Sequence, residues 1–363
     1  MVTVTLNLNM CTELVRNLVS EQRLPQELLE VESHTKKTSK SFLERLCEGI
    51  VRSRDAENFK SEKEWAENLV FSSVLLTRNE YLEATVHALR LAPKIAATDY
   101  GTSRQRDLAQ IWTDAIRGFL GEIAFRKWLR ERFGIEVKLD FRRGPLEEFL
   151  PSDLTRIKKP REEWRKPKLR VSIKTTKLQG MWLDVPYAQL EHSDVFVLVR
   201  VGVSRGHFLA FLKDISVIMD KILTLAQNQG LEVSREEFQD SIPEFKNIPA
   251  FVVGFFDKNE VADKLQDRRT VLTVDGDLKK KRSGGYRLIL NRFAGWWNPK
   301  DPECKKRVVD NFMKTHPRVR LDADKLNIEF EGLGEISETL HFLVSSGALK
   351  QRREDWEKLI NRL

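Results

Sequence analysis

From residue 10 to about 98, apolar positions recur three and four residues apart, the spacing of helices that bury one face. The stretches "CTELVRNLVSEQ", "SKSFLERLCEGIVRS", "SEKEWAENLVFSSVLL" and "NEYLEATVHALRLAPKIA" each carry this spacing. Thr38 or Ser39, Ser61 and Asn79 stand where N-caps of the later three belong. A longer helix is predicted from Ser103 to Phe133. Its apolar stripe runs through Leu108, Ile111, Trp112, Ile116, Phe119, Leu120, Ile123, Ala124 and Leu129, with Gly134 as its stop.

The period then falls to two, the mark of strands. "IEVKLDF", a strand or turn at "EFLPSDL", "KLRVSIKTT", "DVFVLVRV" and "HFLAFL" read as strands, with a short helix or turn at "PYAQLEH". Residues 214–245 read as helix and then loop. "IPAFVVGFF" and "YRLILNRF" are later strands, and "DPECKKRVVDNFMKTHP" and "SETLHFLVSSGALKQRREDWEKLINRL" read as closing helices. The expectation is an α/β (α+β) protein: a helical region over 1–100, a mixed-sheet core flanked by helices over 101–300, and a helical C-terminal appendage over 301–363.

Composition narrows the setting. The 363 residues are 41% hydrophobic and 32% charged, which describes a charged-surface globular chain with a substantial core. The longest apolar runs, such as "VFVLVRVGV", are too short to span a bilayer, and the N-terminus lacks a secretory pattern. Three widely spaced cysteines, Cys11, Cys47 and Cys304, point to a reducing compartment, the cytoplasm, and form no zinc motif. No Walker loop or GxSxG elbow is present.

The net charge of +8 favours a polyanionic partner, and clustering sharpens that reading. Between Arg156 and Arg170 eight basic residues face two acidic ones, Lys158, Lys159, Arg161, Arg165, Lys166 and Lys168 among them. A second cluster holds Lys279, Lys280, Lys281 and Arg282. Both contain Pro or Gly and read as loops, from which side chains reach phosphates. A polyanion such as nucleic acid is the partner these clusters suit.

One strand carries chemistry. In "KLRVSIKTT", Ser172 and Lys174 lie two apart and share a face. Asp153 opens the preceding strand in "PSDL", and Glu122 sits among apolar residues in "GEIAF", next to a glycine that lets the helix approach the sheet. One or two carboxylates beside a lysine are what phosphodiester hydrolysis needs. Magnesium takes carboxylate, water and phosphate oxygens, and a lysine adds charge or orients the water.

In this order the residues resemble the PD-(D/E)xK nuclease superfamily, over roughly residues 105–215. The resemblance implies a restriction-endonuclease-like sheet, with Glu122 as helix acid, Asp153 as central Mg2+ ligand, Lys174 as catalytic lysine and the Ile173 carbonyl as a further metal ligand. Ser172 stands where the family pattern has an acid. The missing carboxylate is then supplied by Glu122 or by Glu191, or cutting is lost; read without the resemblance, Glu191 and Gln189 are solvated helix residues. The resemblance implies a Mg2+-dependent endonuclease, foremost a homodimeric type II restriction enzyme. The alternatives are a structure-selective repair or recombination nuclease, and a non-cutting DNA-binding protein.

Overall fold

The computed structural model describes residues 3–32, 39–98, 108–141, 152–214, 216–231, 242–280, 285–334, 336 and 338–363. The chain opens with α1 (Leu8–Ser20), β1 (Val31–Glu32), β2 (Lys40–Ser41), α2 (Phe42–Ser53), α3 (Glu62–Ser72), β3 (Ser73–Leu76) and α4 (Arg78–Thr98). Next come α5 (Leu108–Phe133), β4 (Glu136–Leu139), β5 (Leu154–Lys158), β6 (Val171–Lys177), β7 (Trp182–Pro186), α6 (Tyr187–His192), β8 (Val195–Val201), α7 (Arg205–Asp214), α8 (Ser216–Asn228) and β9 (Ile248–Asp257). The last elements are α9 (Ala262–Leu265), β10 (Val271–Lys280), β11 (Tyr286–Trp297), α10 (Pro302–Thr315), β12 (Leu326–Phe330), β13 (His341–Ser345) and α11 (Arg353–Arg362). The fold class is mixed α+β, as the periodicity predicts.

Two larger sheets organise it. The first runs β3-β9-β8-β6, antiparallel except for the parallel β8–β6 pair. The second runs β10-β11-β13-β7, with β12 added parallel to β11. β4 and β5 form a separate antiparallel pair. β8 is buried at every position, which explains its apolar run "VFVLV"; Arg200, the one charged residue in the strand, is buried by pairing with Asp55. Its Val195 and Val197 meet α5, through Phe119, Leu120 and Ile123. Its Phe196 and Leu198 belong to a second core that also holds Val15 of α1 and Leu43 and Leu46 of α2. Each such fully buried side chain contributes about 1.5–3 kcal/mol.

α5 lies close on β6 because Gly121 permits it: a Cβ there would stand 1.8 Å from Thr175 Oγ1. The helix ends at Gly134, whose φ of +67° suits a residue without a side chain. α2 starts later than the spacing suggests. Ser41, not Thr38 or Ser39, caps it in a box with Glu44, and Thr77 rather than Asn79 precedes α4, its N–H bonded to Glu80 Oε2 at 2.6 Å. Ser61 caps α3.

Three further expectations are corrected. "HFLAFL" belongs to α7, where buried His207, Ala210 and Phe211 follow helical spacing. The 301–363 segment is no helical appendage. β13 is the inner strand that joins β11 to β7, and Trp356 of α11 packs on Trp128 and Phe255 in the first core. The 1–100 region is equally integrated, since β3 pairs with β9.

Candidate active site at the edge of the first sheet

β6 is the end strand of its sheet, and residues 152–154 dock on its open edge. Asp153 N–H donates to Val171 O at 2.8 Å, and Asp153 Oδ2 accepts from Ile173 N–H at 2.6 Å. Ser152 Oγ accepts from Val171 N–H at 3.1 Å and from Leu154 N–H at 3.2 Å. A charged acceptor on a buried main-chain donor is worth about 1.5–3 kcal/mol. Asp153 is therefore held against β6 at Ile173, between Ser172 and Lys174. In an extended strand a residue's N–H and C=O point to one edge, so the Ile173 carbonyl faces the Asp153 side.

Alternation divides the remaining residues. Val171 and Ile173 pack in the core that α5 covers, and Thr175 Oγ1 donates to Gly118 O at 3.2 Å. Ser172 and Lys174 leave the other face, where Lys174 Nζ donates to Gln189 Oε1 of α6. Glu122 follows Gly118 by one helical turn and is only 2% exposed, so it approaches β6 from the α5 side. Asp153 sits at the edge between the two faces. Glu122 and Lys174 thus reach the strand from opposite sides, and Asp153 is bonded to its edge at Ile173. Arg126, four residues after Glu122, is engaged bidentately by Glu83 at 2.8 and 2.6 Å.

Two residues change standing. Glu191 accepts from the Tyr187 hydroxyl, whose ring lies under Arg268, and Gln189 is the α6 residue whose side chain accepts from Lys174. Asp140, which no sequence motif singles out, is 5% exposed, and its N–H donates to Asp153 O at 2.9 Å. The only signal for it is an acid ending the "EVKL" strand.

The start of β6 is pinned as well. Asp194 accepts from Arg170 Nη2 at 2.8 Å, Nε at 3.1 Å and main-chain N at 2.8 Å. Burial works against its charge, but these Arg170 bonds outweigh it and hold the carboxyl below its ordinary value.

The basic clusters are partly structural. Arg165 Nη1 donates to Leu363 O at 2.8 Å, and Lys168 main-chain N–H donates to the same oxygen at 3.1 Å. Lys159 Nζ reaches Asn361 O at 3.5 Å; burial, and next Arg165, lower its pKa. Arg165 therefore ties the loop to the end of α11. Lys158 is half-buried, while Arg161, Lys166 and Lys168 are exposed, as are Lys279 and Lys280 at the end of β10. Lys281 and Arg282 lie outside the described residues. Trp164, in the first loop, carries Lys138 Nζ 5.0 Å from its ring centre.

Among the described residues no three His, Cys, Asp or Glu side chains gather into a ready metal cage. The candidate donors are all oxygens: the Asp153 carboxylate and the Ile173 carbonyl at the edge, and the Glu122 carboxylate buried on α5. One or two carboxylates completed by water and substrate phosphate is a donor set that suits Mg2+, not a soft metal. No helix among the described residues is long and apolar enough to cross a membrane. Set against protein-family models, curated proteins and solved structures, the chain gives no match.

Proposed function

We propose that this chain is a Mg2+-dependent endonuclease of the PD-(D/E)xK kind, cutting double-stranded DNA as a homodimeric type II restriction enzyme. The observation that carries this reading is Asp153 clamped to Ile173 N–H, between Ser172 and Lys174. An aspartate fixed by main chain beside a lysine that leaves the same strand is the minimum such hydrolysis asks of a protein.

Mg2+ would be held by Asp153 and the Ile173 carbonyl, with Glu122 assisting, and would supply Lewis-acid stabilisation of the phosphate and a more acidic water. Lys174 orients the attacking water and offsets charge on the phosphate. Gln189 holds the Lys174 ammonium on the α6 side, away from the apolar α5 face. Direct hydrolysis leaves a 5′-phosphate. Exposed Arg161, Lys166, Lys168, Lys279 and Lys280 contact phosphates flanking the scissile one. A twofold DNA target asks for a twofold protein, hence the homodimer. Three free, buried cysteines support a cytoplasmic setting.

The test is incubation of the full chain with supercoiled plasmid and Mg2+. Discrete fragments, lost in Lys174→Ala while DNA binding persists, support the reading. Cleavage confined to branched substrates replaces restriction with repair or recombination. Binding with no cleavage under any divalent metal removes the enzyme reading and leaves a DNA-binding scaffold.

A further inference from the structure

A cavity of about 750 Å3 opens beyond the C-terminal ends of the parallel β6–β8 pair, where Lys177 and Val201 close the strands. Its walls come from α2, the first half of α5 and the loop from Gly202 into α7. In open α/β sheets the crevice outside the carboxyl ends of neighbouring parallel strands is where ligands sit. Lys177 follows Lys174 by three residues, about 10 Å along the strand and on the other face. The cavity is therefore distinct from the candidate active site, and its ligand chemistry stands independently of the nuclease reading.

That chemistry is specific. Among the described residues lining the cavity, four are cations, Arg45, Arg117, Lys177 and Arg205, against the single carboxylate of Asp114. Asp114 holds Arg117 Nη1 at 3.1 Å. Lys177 and Arg205 are exposed at the rim. Phe208 adds a half-buried aromatic ring, with buried Phe42 and Tyr81 backing the wall. This excess of cations among the described lining residues, beside the Phe208 ring, fits a ligand with several negative charges and one flat ring system. The volume falls in the range of small-molecule sites, about 300–1,000 Å3, and suits a nucleotide, not a duplex.

We propose that this cavity binds a free nucleoside di- or triphosphate, the phosphates on Arg45, Arg117, Lys177 and Arg205 and the base against the aromatic wall. Cations at this density hold phosphate through charge-assisted hydrogen bonds, and a flat base stacks on aromatic faces.

Isothermal titration calorimetry of the full chain with ATP, ADP, AMP, inorganic phosphate and a 5′-phosphorylated single-stranded tetranucleotide tests this. ATP and ADP are expected to bind, with AMP and phosphate at least about tenfold weaker, the effect of losing one charged contact. Lys177→Gln and Arg205→Gln, both at exposed positions, should each weaken ADP about tenfold without moving the melting temperature. Absence of ATP and ADP binding at millimolar concentration overturns the proposal. So does binding that both substitutions leave unchanged, or a preference for the oligonucleotide over ATP and ADP, which would assign the cavity to a nucleic-acid end.

Discussion

Asp153 and Ile173 are joined by a 2.6 Å hydrogen bond in which the strand's N–H donates to the carboxylate. One side chain thereby satisfies an edge-strand donor and stands beside Lys174. Asp153→Asn keeps an acceptor but removes the charge. Its stability should stay within about 1 kcal/mol of wild type by urea denaturation, with plasmid nicking lost. Asp153→Ala should cost about 1–3 kcal/mol as well, because the donor is left bare. Nicking at the wild-type rate by the asparagine variant would remove Asp153 from the chemistry.

Lys174 and Gln189 should separate by severity. Lys174→Ala is expected to slow cleavage by at least about 10²-fold, the scale of a lost acid–base or charge-stabilising group. Gln189→Leu should slow it less, while both keep duplex affinity in a filter-binding assay. A glutamine variant slower than the lysine variant would reverse the proposed roles.

Arg200 and Asp55 form an ion pair at 2.9 Å, with side chains 2% and 4% exposed. Asp55 also accepts from Ser53 and Ser346 hydroxyls at 2.7 Å each. Arg200→Met alone should cost about 3–5 kcal/mol, since it strands a buried carboxylate. With Asp55→Leu added, the loss should be clearly smaller than the sum of the singles in a denaturant double-mutant cycle.

Gly121→Ala places a methyl 1.8 Å from Thr175 Oγ1. The crowding should cost about 1–3 kcal/mol. Thr175→Ala introduced with it should recover part of that cost, although it also deletes the bond to Gly118 O. A Gly121→Ala protein that melts like wild type would contradict the close α5–β6 packing.

Asp194 provides a pH test. Its carboxyl is held below its ordinary value by Arg170 despite burial, so the pair's stabilisation is present above about pH 4 and fades as pH falls. Arg170→Gln should lower stability at pH 7 by about 1 kcal/mol or less, because the arginine is 47% exposed and screened. The difference should vanish near pH 2. A gap that persists there would show packing, not charge, as the cause.

How much of the fold is legible in the chain depends on where each signal lies. β6 and β8 can be read because one alternates and the other opens on five β-favouring apolar residues, and Gly134 marks the end of α5 plainly. "HFLVS" cannot. His341–Ser345 is buried on both sides because it lies between β11 and β7, and an unbroken apolar run does not distinguish a central strand from a helix. At the site, Asp153, Ser172 and Lys174 stand out by their order and spacing. That Gln189 instead of Glu191 meets Lys174 depends on which way a six-residue helix is rotated, and no linear pattern encodes that. Asp140 escapes notice because its role is set by a main-chain bond to Asp153.

Among the described residues β7 is attached to its sheet through β13 alone, and α6, with Gln189, continues directly from β7. During synthesis, residues 182–192 must therefore wait for residues 341–345 to leave the ribosome before they have a strand to pair with. A nascent chain halted before that point can build the first sheet yet lacks the support that positions α6. Translation past residue 345 thus acts as a timer on assembly of this edge.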